Sequence, residues 1–482
     1  MALTPQPADK PEATGHANQP SPCLEGETES VTMTCMRQIA PAKTDSSSID
    51  TYSRLRAMWV YRLYKERLQK YNWVRQMVRA GWGFAHPIYV RHLARWVSPV
   101  WRRQSWRSLV SFGGYVTRSG VETYTLVPGT VVDTPAPYTL PIREQRYLVA
   151  PHTEYSFPEI TVARLSHAII QGGTNLVFVD NQIVVHDLYD LLRDDMPEEL
   201  HGKALLDLHG RRVKMRLNNI APQSVPVAAV FTDACAPNYA HWMTEVLSRV
   251  AVFCADERFR GVPLVVDEGL HDNILESLFR VAGTDRDVIT LASGCTLQVE
   301  CLYLTSPAGY VPFGRRQGVA HGHSHGTFSP QAFSAIRRKI LRQTPMEGAE
   351  IPSRKIYLRR NSGVRLVKNA DEIEQLLKQR GFSVVEPEKL TFAQQAEMFA
   401  EASIIVGSSG AALANLVFAH PSTRIIIMIG KQPDTSYWYW QNMACALGNR
   451  VVYMLGEPEG TGGIHADFRV DAQELLLYLD KE

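Results

Sequence analysis

The stretch Ser403–Pro421, SIIVGSSGAALANLVFAHP, runs from an apolar segment through Gly-Ser-Ser-Gly into a small-residue segment fit to start a helix. Gly407, Ser408, Ser409 and Gly410 present little side chain, so another molecule can approach the backbone closely there. The first amides of a following helix are donors with no intrahelical acceptor. Together these features describe an anion cradle. A corner in which glycine serves only the turn has the same letters, so the flanking sequence must decide.

Around the corner, strand and helix patterns alternate: KIYLRR, ADEIEQLLKQR, FSVVE, FAQQAEMFAEA, SIIVG, AALANLVFA, RIIIMI. A βαβα series implies a parallel, doubly wound sheet, and such sheets bind ligands beyond the carboxyl ends of their strands. Gly407–Gly410 and Ala411 fall at that edge. So do Arg359, Arg360 and Arg365 in YLRRNSGVRLVKN, whose guanidinium forks match phosphate oxygens. Two anion-binding devices on one edge point to a nucleotide-diphosphate site. Asn369 reads as the cap of the next helix, with Glu372 completing a capping box.

A second α/β series starts after Pro226 with VAAVF, HWMTEVLSRVAVFCA, PLVVD, ILESLFRVAG, VITL and LYLTS. In DACAPNYAHWMTEVLSRV, Asn238, His241 and Trp242 open a helix. Glu245 lies one turn beyond His241 on the same face. A carboxylate that orients an imidazole makes a general base for a hydroxyl; packing of a His-Trp pair at a helix start is the alternative. No metal site is expected. His321, His323 and His325 lack acidic partners at defined spacing, and Asp285-Arg286-Asp287 follows a helix and a glycine, as a loop would. Neither a phosphate-binding P-loop nor a nucleophile elbow is present.

The 482 residues, 45% hydrophobic, suffice for two or three domains. Residues 1–50 are rich in Pro, Ser, Thr and Glu and read as a disordered tail. Residues 51–110 carry 13 Lys and Arg against one acidic residue, together with six of the nine tryptophans. They read as a basic helical arm. Tryptophan rings settle at lipid headgroups and basic side chains are drawn to anionic lipid, so a peripheral membrane anchor is one expectation; an arm packed on the acidic remainder is the other. No nucleic-acid motif accompanies the charge. Residues 111–225 read as a β-rich accessory segment, 226–328 as one α/β lobe and 329–482 as another, joined through the glycine-rich stretch 307–326. Seven scattered cysteines suit reduced thiols in the cytoplasm. Neither a signal layout nor about 18 uninterrupted apolar residues occurs, so secretion and membrane spanning are not expected.

NYAHW and the long run from YLRRNSGVRLVKN to GSSGAALANLVFAHP, within Pro226–Leu455, resemble the glycosyltransferase family 61 domain, including bacterial members of capsular polysaccharide biosynthesis. The resemblance implies two Rossmann-like lobes of GT-B type with parallel, doubly wound sheets. It also implies an inverting, metal-independent transfer, without cofactor, from a nucleotide-sugar donor. The expected acceptor is a glycan or lipid-linked hydroxyl, with the basic arm holding a cytoplasmic enzyme at the inner membrane. By matching position, Arg359, Arg360, Arg365 and Ser408–Ala411 resemble donor-phosphate contacts, Asn415 a neighbouring polar anchor, and His241 the acceptor-side base. One departure stands out: the family often has histidine at the position of Ser409. A non-catalytic glycan- or nucleotide-binding assembly protein is therefore the other reading. An epimerase has no support, because no G-x-G-x-x-G follows an early strand.

Overall fold

LVVD and VITL are apolar on both faces, a pattern that suits strands covered on both sides. In the computed structural model they are the parallel strands Leu264–Asp267 and Val288–Leu291, with every residue buried. The structure describes residues 36–39, 104–148, 153–190, 193–195, 204–207, 211–215, 223–312, 314–315, 326–341, 352–361, 364–431, 438–459 and 466–480. Most of the expected tail, the arm up to residue 103 and the histidine tract 321–325 lie outside the described residues.

The first sheet sets Met36–Ile39, Val288–Leu291, Leu264–Asp267, Gln223–Val230 and Thr296–Thr305 side by side in parallel. Its character then changes. Ile160–Gln171 pairs antiparallel with Thr296–Thr305, from Gln171 opposite Thr296 to Val162 opposite Thr305. Val177–Val179, Gln182–Val185 and Arg107–Ser111 follow. The sheet is thus mixed where a parallel one was expected, and much of the β-rich segment is hydrogen bonded into it. The cause lies in Ile160–Gln171 itself: Ile160, Val162, Ala163, Leu165, Ala168 and Ile170 are all fully buried, and a long apolar strand of this kind is a liability at a sheet edge. Trp106, at the end of the arm, packs on its own chain, with Lys214 and Arg212 at 5.2 and 5.6 Å from its ring.

The second sheet follows the alternation in the sequence. Ser383–Val385, Arg354–Leu358, Ala402–Ser408, Arg424–Gly430 and Val451–Glu459 are parallel in that spatial order, and the helices Ala370–Lys378 and Phe392–Ala400 fall between strands as expected. AALANLVFA differs: Ala411–Phe418 winds as a 3-10 helix. Leu413, Ala414, Leu416, Val417 and Phe418 are all buried. With no polar face to present, the segment takes its winding from its neighbours' packing. Among the described residues no helix is long and apolar enough to cross a membrane.

Two polar contacts tie the sheets together. Glu276 accepts from the amides of Phe392 (2.9 Å) and Ala393 (3.2 Å), placing its carboxylate at the start of helix Phe392–Ala400. The Tyr239 hydroxyl donates to Asn415 Oδ1 at 2.6 Å, and Asn415 Nδ2 donates to Gln395 Oε1 at 2.7 Å. Asn415→Leu strands both partners, whereas Tyr239→Phe strands one side of Asn415 only. Leaving a buried polar group unpaired costs about 1–3 kcal/mol. Asn415→Leu is therefore expected to lower the denaturant midpoint of unfolding further than Tyr239→Phe, as followed by far-UV circular dichroism.

Candidate active site

Ala402–Ser408 ends at the corner, where the Ser409 amide still donates to Met428 O of the next strand (3.0 Å). Arg360, just past the neighbouring strand, lies against it: Nη1 donates to Ser409 O (3.2 Å) and Nε to Val364 O (3.0 Å). Gly410 has extended backbone, φ −179°, which any residue adopts. Glycine is needed there because a Cβ would sit 2.0 Å from Arg360 Nη1. Arg365 has φ 58°, a left-handed conformation uncommon for a long side chain, and its buried Nε has no hydrogen-bond partner. Among the described residues no carboxylate lies within ion-pair distance of Arg360 or Arg365. Burial lowers the pKa of both guanidiniums; Arg360 is pushed down to about 10, with the charge of Arg365 as the second cause. The Ser408 hydroxyl is sealed and unpartnered, and the exposed Ala411 starts the 3-10 helix, whose first amides have no intrahelical acceptor. Arg360 thus lies on the corner beside a helix start, with Arg365 close enough for its charge to act on it, an arrangement that suits an anion.

Other expected members of this corner are engaged elsewhere. Arg359 pairs with Glu374 and, at 2.7 Å, with Asp371, and these carboxylates raise its pKa. Asn369 makes no cap bond to its helix. Its Nδ2 donates to Val470 O (2.9 Å) and Glu372 Oε2 (3.0 Å), and its Oδ1 accepts from Val470 N (3.2 Å), so it pins the helix to a neighbouring segment and no capping box forms. Gly407 is buried, with Leu358 Cβ 2.9 Å from where its own Cβ would be, so it sets strand packing. Asn415 is spent on the contact between the sheets.

Across from the corner, the exposed Asn238 accepts from Ala240 N (3.0 Å) and starts a helix that passes into a π-helical turn, Trp242–Val246. Such turns recur at functional sites. Trp242 is fully buried and donates from its indole to Ser277 Oγ (2.8 Å). Its side chain packs in the core, as the packing alternative for the His-Trp pair has it, and leaves no face for an acceptor. His241 and Glu245 are different: their side chains retain 10% and 12% exposure, and His241 Nδ1 meets Glu245 Oε2. Glu245 Oε1 also accepts from Val311 N at 2.7 Å. Burial raises the Glu245 pKa, against the lowering effect of His241 and the Val311 amide. A carboxylate-oriented imidazole of this kind can take a proton from a hydroxyl.

The two halves are joined by residues that sequence reasoning missed. Tyr439 OH lies 3.1 Å from Thr244 Oγ1 in the π turn, while the Trp440 indole donates to Ser409 Oγ at 3.0 Å. The two rings stack at 4.3 Å on helix Trp438–Ala446. The aromatic run WYWQN was the available signal. Asp285-Arg286-Asp287 is a loop, as expected, with Arg286 donating to Phe259 O (2.8 Å) and Val262 O (2.9 Å).

Gly410→Ala must displace the Arg360 guanidinium while leaving the backbone conformation allowed. The variant is expected to fold and to bind inorganic pyrophosphate at least about tenfold more weakly in a calorimetric titration, the loss of one charge-assisted contact. Unchanged affinity would mean that Arg360 does not hold the anion.

Residues 239–426 match the family model Glycosyltransferase 61. That span opens on the residue that contacts Asn415, contains His241 and Glu245, and ends in the strand beyond the Gly-Ser-Ser-Gly corner. A comparison with curated proteins gives no match. Over residues 239–426 the chain is similar to the family, and the match supports a glycosyltransferase, which acts on a sugar donor and an acceptor.

Proposed function

We propose that this is an inverting, metal-independent transferase of GT-B type that moves a sugar from a nucleotide-sugar donor to a glycan or lipid-linked acceptor hydroxyl. The observation that carries the reading is the pair of desolvated guanidiniums, Arg360 and Arg365, which have no carboxylate within ion-pair distance among the described residues, with Arg360 tied through Ser409, Trp440 and Tyr439 to the turn that holds His241 and Glu245. The donor diphosphate lies between the two arginines, Ser408 and the first amides of Ala411–Phe418. His241, oriented by Glu245, takes the acceptor hydroxyl proton as the oxygen bonds to the anomeric carbon. The bond from that carbon to the phosphate oxygen breaks, its electron pair leaves with the nucleoside diphosphate, and the configuration inverts. Two fixed cations and helix-start dipoles, already oriented, offset the departing charge, so the reading requires no metal. We assign the enzyme to capsular or surface polysaccharide assembly on the cytoplasmic face of the inner membrane, a placement supported by the Arg- and Trp-rich composition of residues 51–110.

The test is a calorimetric screen of UDP-, GDP-, CMP- and dTDP-linked sugars against the wild type and Arg365→Gly, in EDTA. Glycine relieves the left-handed backbone at 365 and removes the cation, so thermal stability is expected to hold while the affinity for one donor falls about tenfold or more. Failure of every donor to bind, with or without divalent metal, would overturn the reading.

Glu245→Gln is expected to lower kcat about 100-fold or more with donor affinity unchanged. Because the Glu245 pKa is raised, its carboxylate is protonated at a higher pH than an ordinary glutamate as the solution is acidified. It then ceases to orient and stabilise the imidazolium, and activity falls. The acid limb of the wild-type kcat profile is accordingly expected above the usual carboxylate range and is to be compared with that of the variant.

A further inference from the structure

The spatial order of the second sheet, Ser383–Val385, Arg354–Leu358, Ala402–Ser408, Arg424–Gly430, Val451–Glu459, reverses the direction of the chain between its second and third members. Ligands of open α/β sheets bind at such a reversal, and the anion corner occupies it. Beyond the outer strand Ser383–Val385 the edge turns acidic, with Glu386 and Glu388 on either side of the buried Pro387. Resting on the transferase reading above, we propose that these two carboxylates take the 2′,3′-diol of a ribose, so that the donor is a ribonucleotide sugar and 2′-deoxynucleotide sugars are discriminated against.

The geometry places the two ends of a nucleotide on one edge. Leu358 lies opposite Val385 on one side and Gly407 on the other, so the three strands end within one residue of one another. Past Leu358, consecutive side chains reach in opposite directions. Arg360 Nη1 donates to Ser409 O (3.2 Å), whereas Asn361 Nδ2 donates to Glu386 Oε2 (2.6 Å) and Glu388 Oε1 (3.1 Å). The acids and the corner are thus about two strand spacings, roughly 10 Å, apart, comparable with the span of a nucleotide from its ribose diol to its diphosphate. Glu388 is close enough to Arg360 for its charge to act on it. At the far end, independently of the acids, the Ser408 hydroxyl, in a residue 7% exposed, and the buried Arg365 Nε are unpartnered.

The carboxylates are held in place without being used up. Glu386 Oε1 accepts from Lys389 Nζ at 2.8 Å, and the exposed Glu388 is tethered by Asn361. A carboxylate oxygen has room for a further donor beyond these. Their turn is anchored, since Leu390 O accepts from Asn273 Nδ2 (3.0 Å) and Gln395 Nε2 (3.2 Å). A hydroxyl that donates to a carboxylate makes a charge-assisted bond, stronger than one to a neutral acceptor. A phosphate is repelled from the same place. The edge therefore admits a nucleotide in one orientation, diphosphate on the arginines and diol on the acids, and loss of the 2′-hydroxyl removes one of those bonds.

Calorimetric titration of the full chain with UDP, GDP, CDP and ADP, each set against its 2′-deoxy counterpart, tests this. At least one ribonucleoside diphosphate is expected to bind about tenfold or more tightly than its 2′-deoxy form, the loss of one charge-assisted bond. In the double variant Glu386→Ala, Glu388→Ala that ratio is expected to fall close to one. A merely structural role for the two acids would weaken both forms alike and leave the ratio intact, which would overturn the proposal, as would equal binding of the two forms by the wild type. Equal binding that is weakened in Arg365→Gly would sink the ribose assignment and leave the transferase reading standing, whereas no binding by any nucleoside diphosphate or nucleotide sugar would sink both.

Discussion

The distance between the anion corner and the His241–Glu245 pair is set by two adjacent aromatic side chains. Trp440 donates to Ser409 at the corner, and Tyr439 meets Thr244 in the π turn between His241 and Glu245. Each bond alone contributes only about 1 kcal/mol. Their weight comes from where they sit: on one helix, from stacked rings, with Tyr439 also stacked on Phe328. Neither end can move without dragging the other. Serine at 409 fits this arrangement, because its hydroxyl accepts the indole N–H in a position that is 7% exposed and flanked by a tryptophan. In this chain the contact made at that position is a structural one to Trp440, and the cationic contribution to the corner comes from Arg360 and Arg365.

Charge is divided between the two sides of the site. The corner holds Arg360 and Arg365, with no carboxylate within ion-pair distance among the described residues, whereas the far side holds Glu245 and Asp233, the latter 3.7 Å from Arg249. Each side is costly in isolation, since desolvation penalises uncompensated charge. Perturbed groups gathered at the strand ends of both sheets are the signature of a site rather than of a folding core. The arrangement also matches the demand of group transfer. Negative charge grows on the leaving group, and positive charge grows on the imidazole that accepts the proton.

What could be read in the sequence was local. The βαβα order of the second sheet, the Gly-Ser-Ser-Gly corner and the one-turn spacing of His241 and Glu245 all depend on residues a few positions apart. Local reasoning had no means of ranking Arg359, Arg360 and Arg365, because the carboxylate that occupies Arg359 comes from Glu374 on the following helix, while among the described residues none forms an ion pair with the other two. Trp242 and Asn415 were polar or aromatic letters in the right places whose side chains turned inward. The first sheet was misjudged for a related reason: strand periodicity shows that Ile160–Gln171 is buried but not which neighbour buries it.

Two glycines show how the site is kept tight. Neither Gly309 nor Gly410 is used for a left-handed backbone; each admits a close neighbour. A Cβ at 309 would lie 2.1 Å from Thr244 O, in the π turn, and one at 410 would lie 2.0 Å from Arg360 Nη1. The consequences differ because the neighbours differ. At 410 a flexible guanidinium can swing aside, so the anion contact is lost while the fold survives. At 309 the obstacle is backbone, and the strand carrying Gly309 would have to retreat from the turn. Val311, two residues on, would withdraw the amide that holds Glu245 Oε1, and the carboxylate would lose one of the two bonds that fix it against His241. Close packing of backbone on backbone therefore does at the base what arginine placement does at the corner: it holds a charged group in position before any substrate arrives.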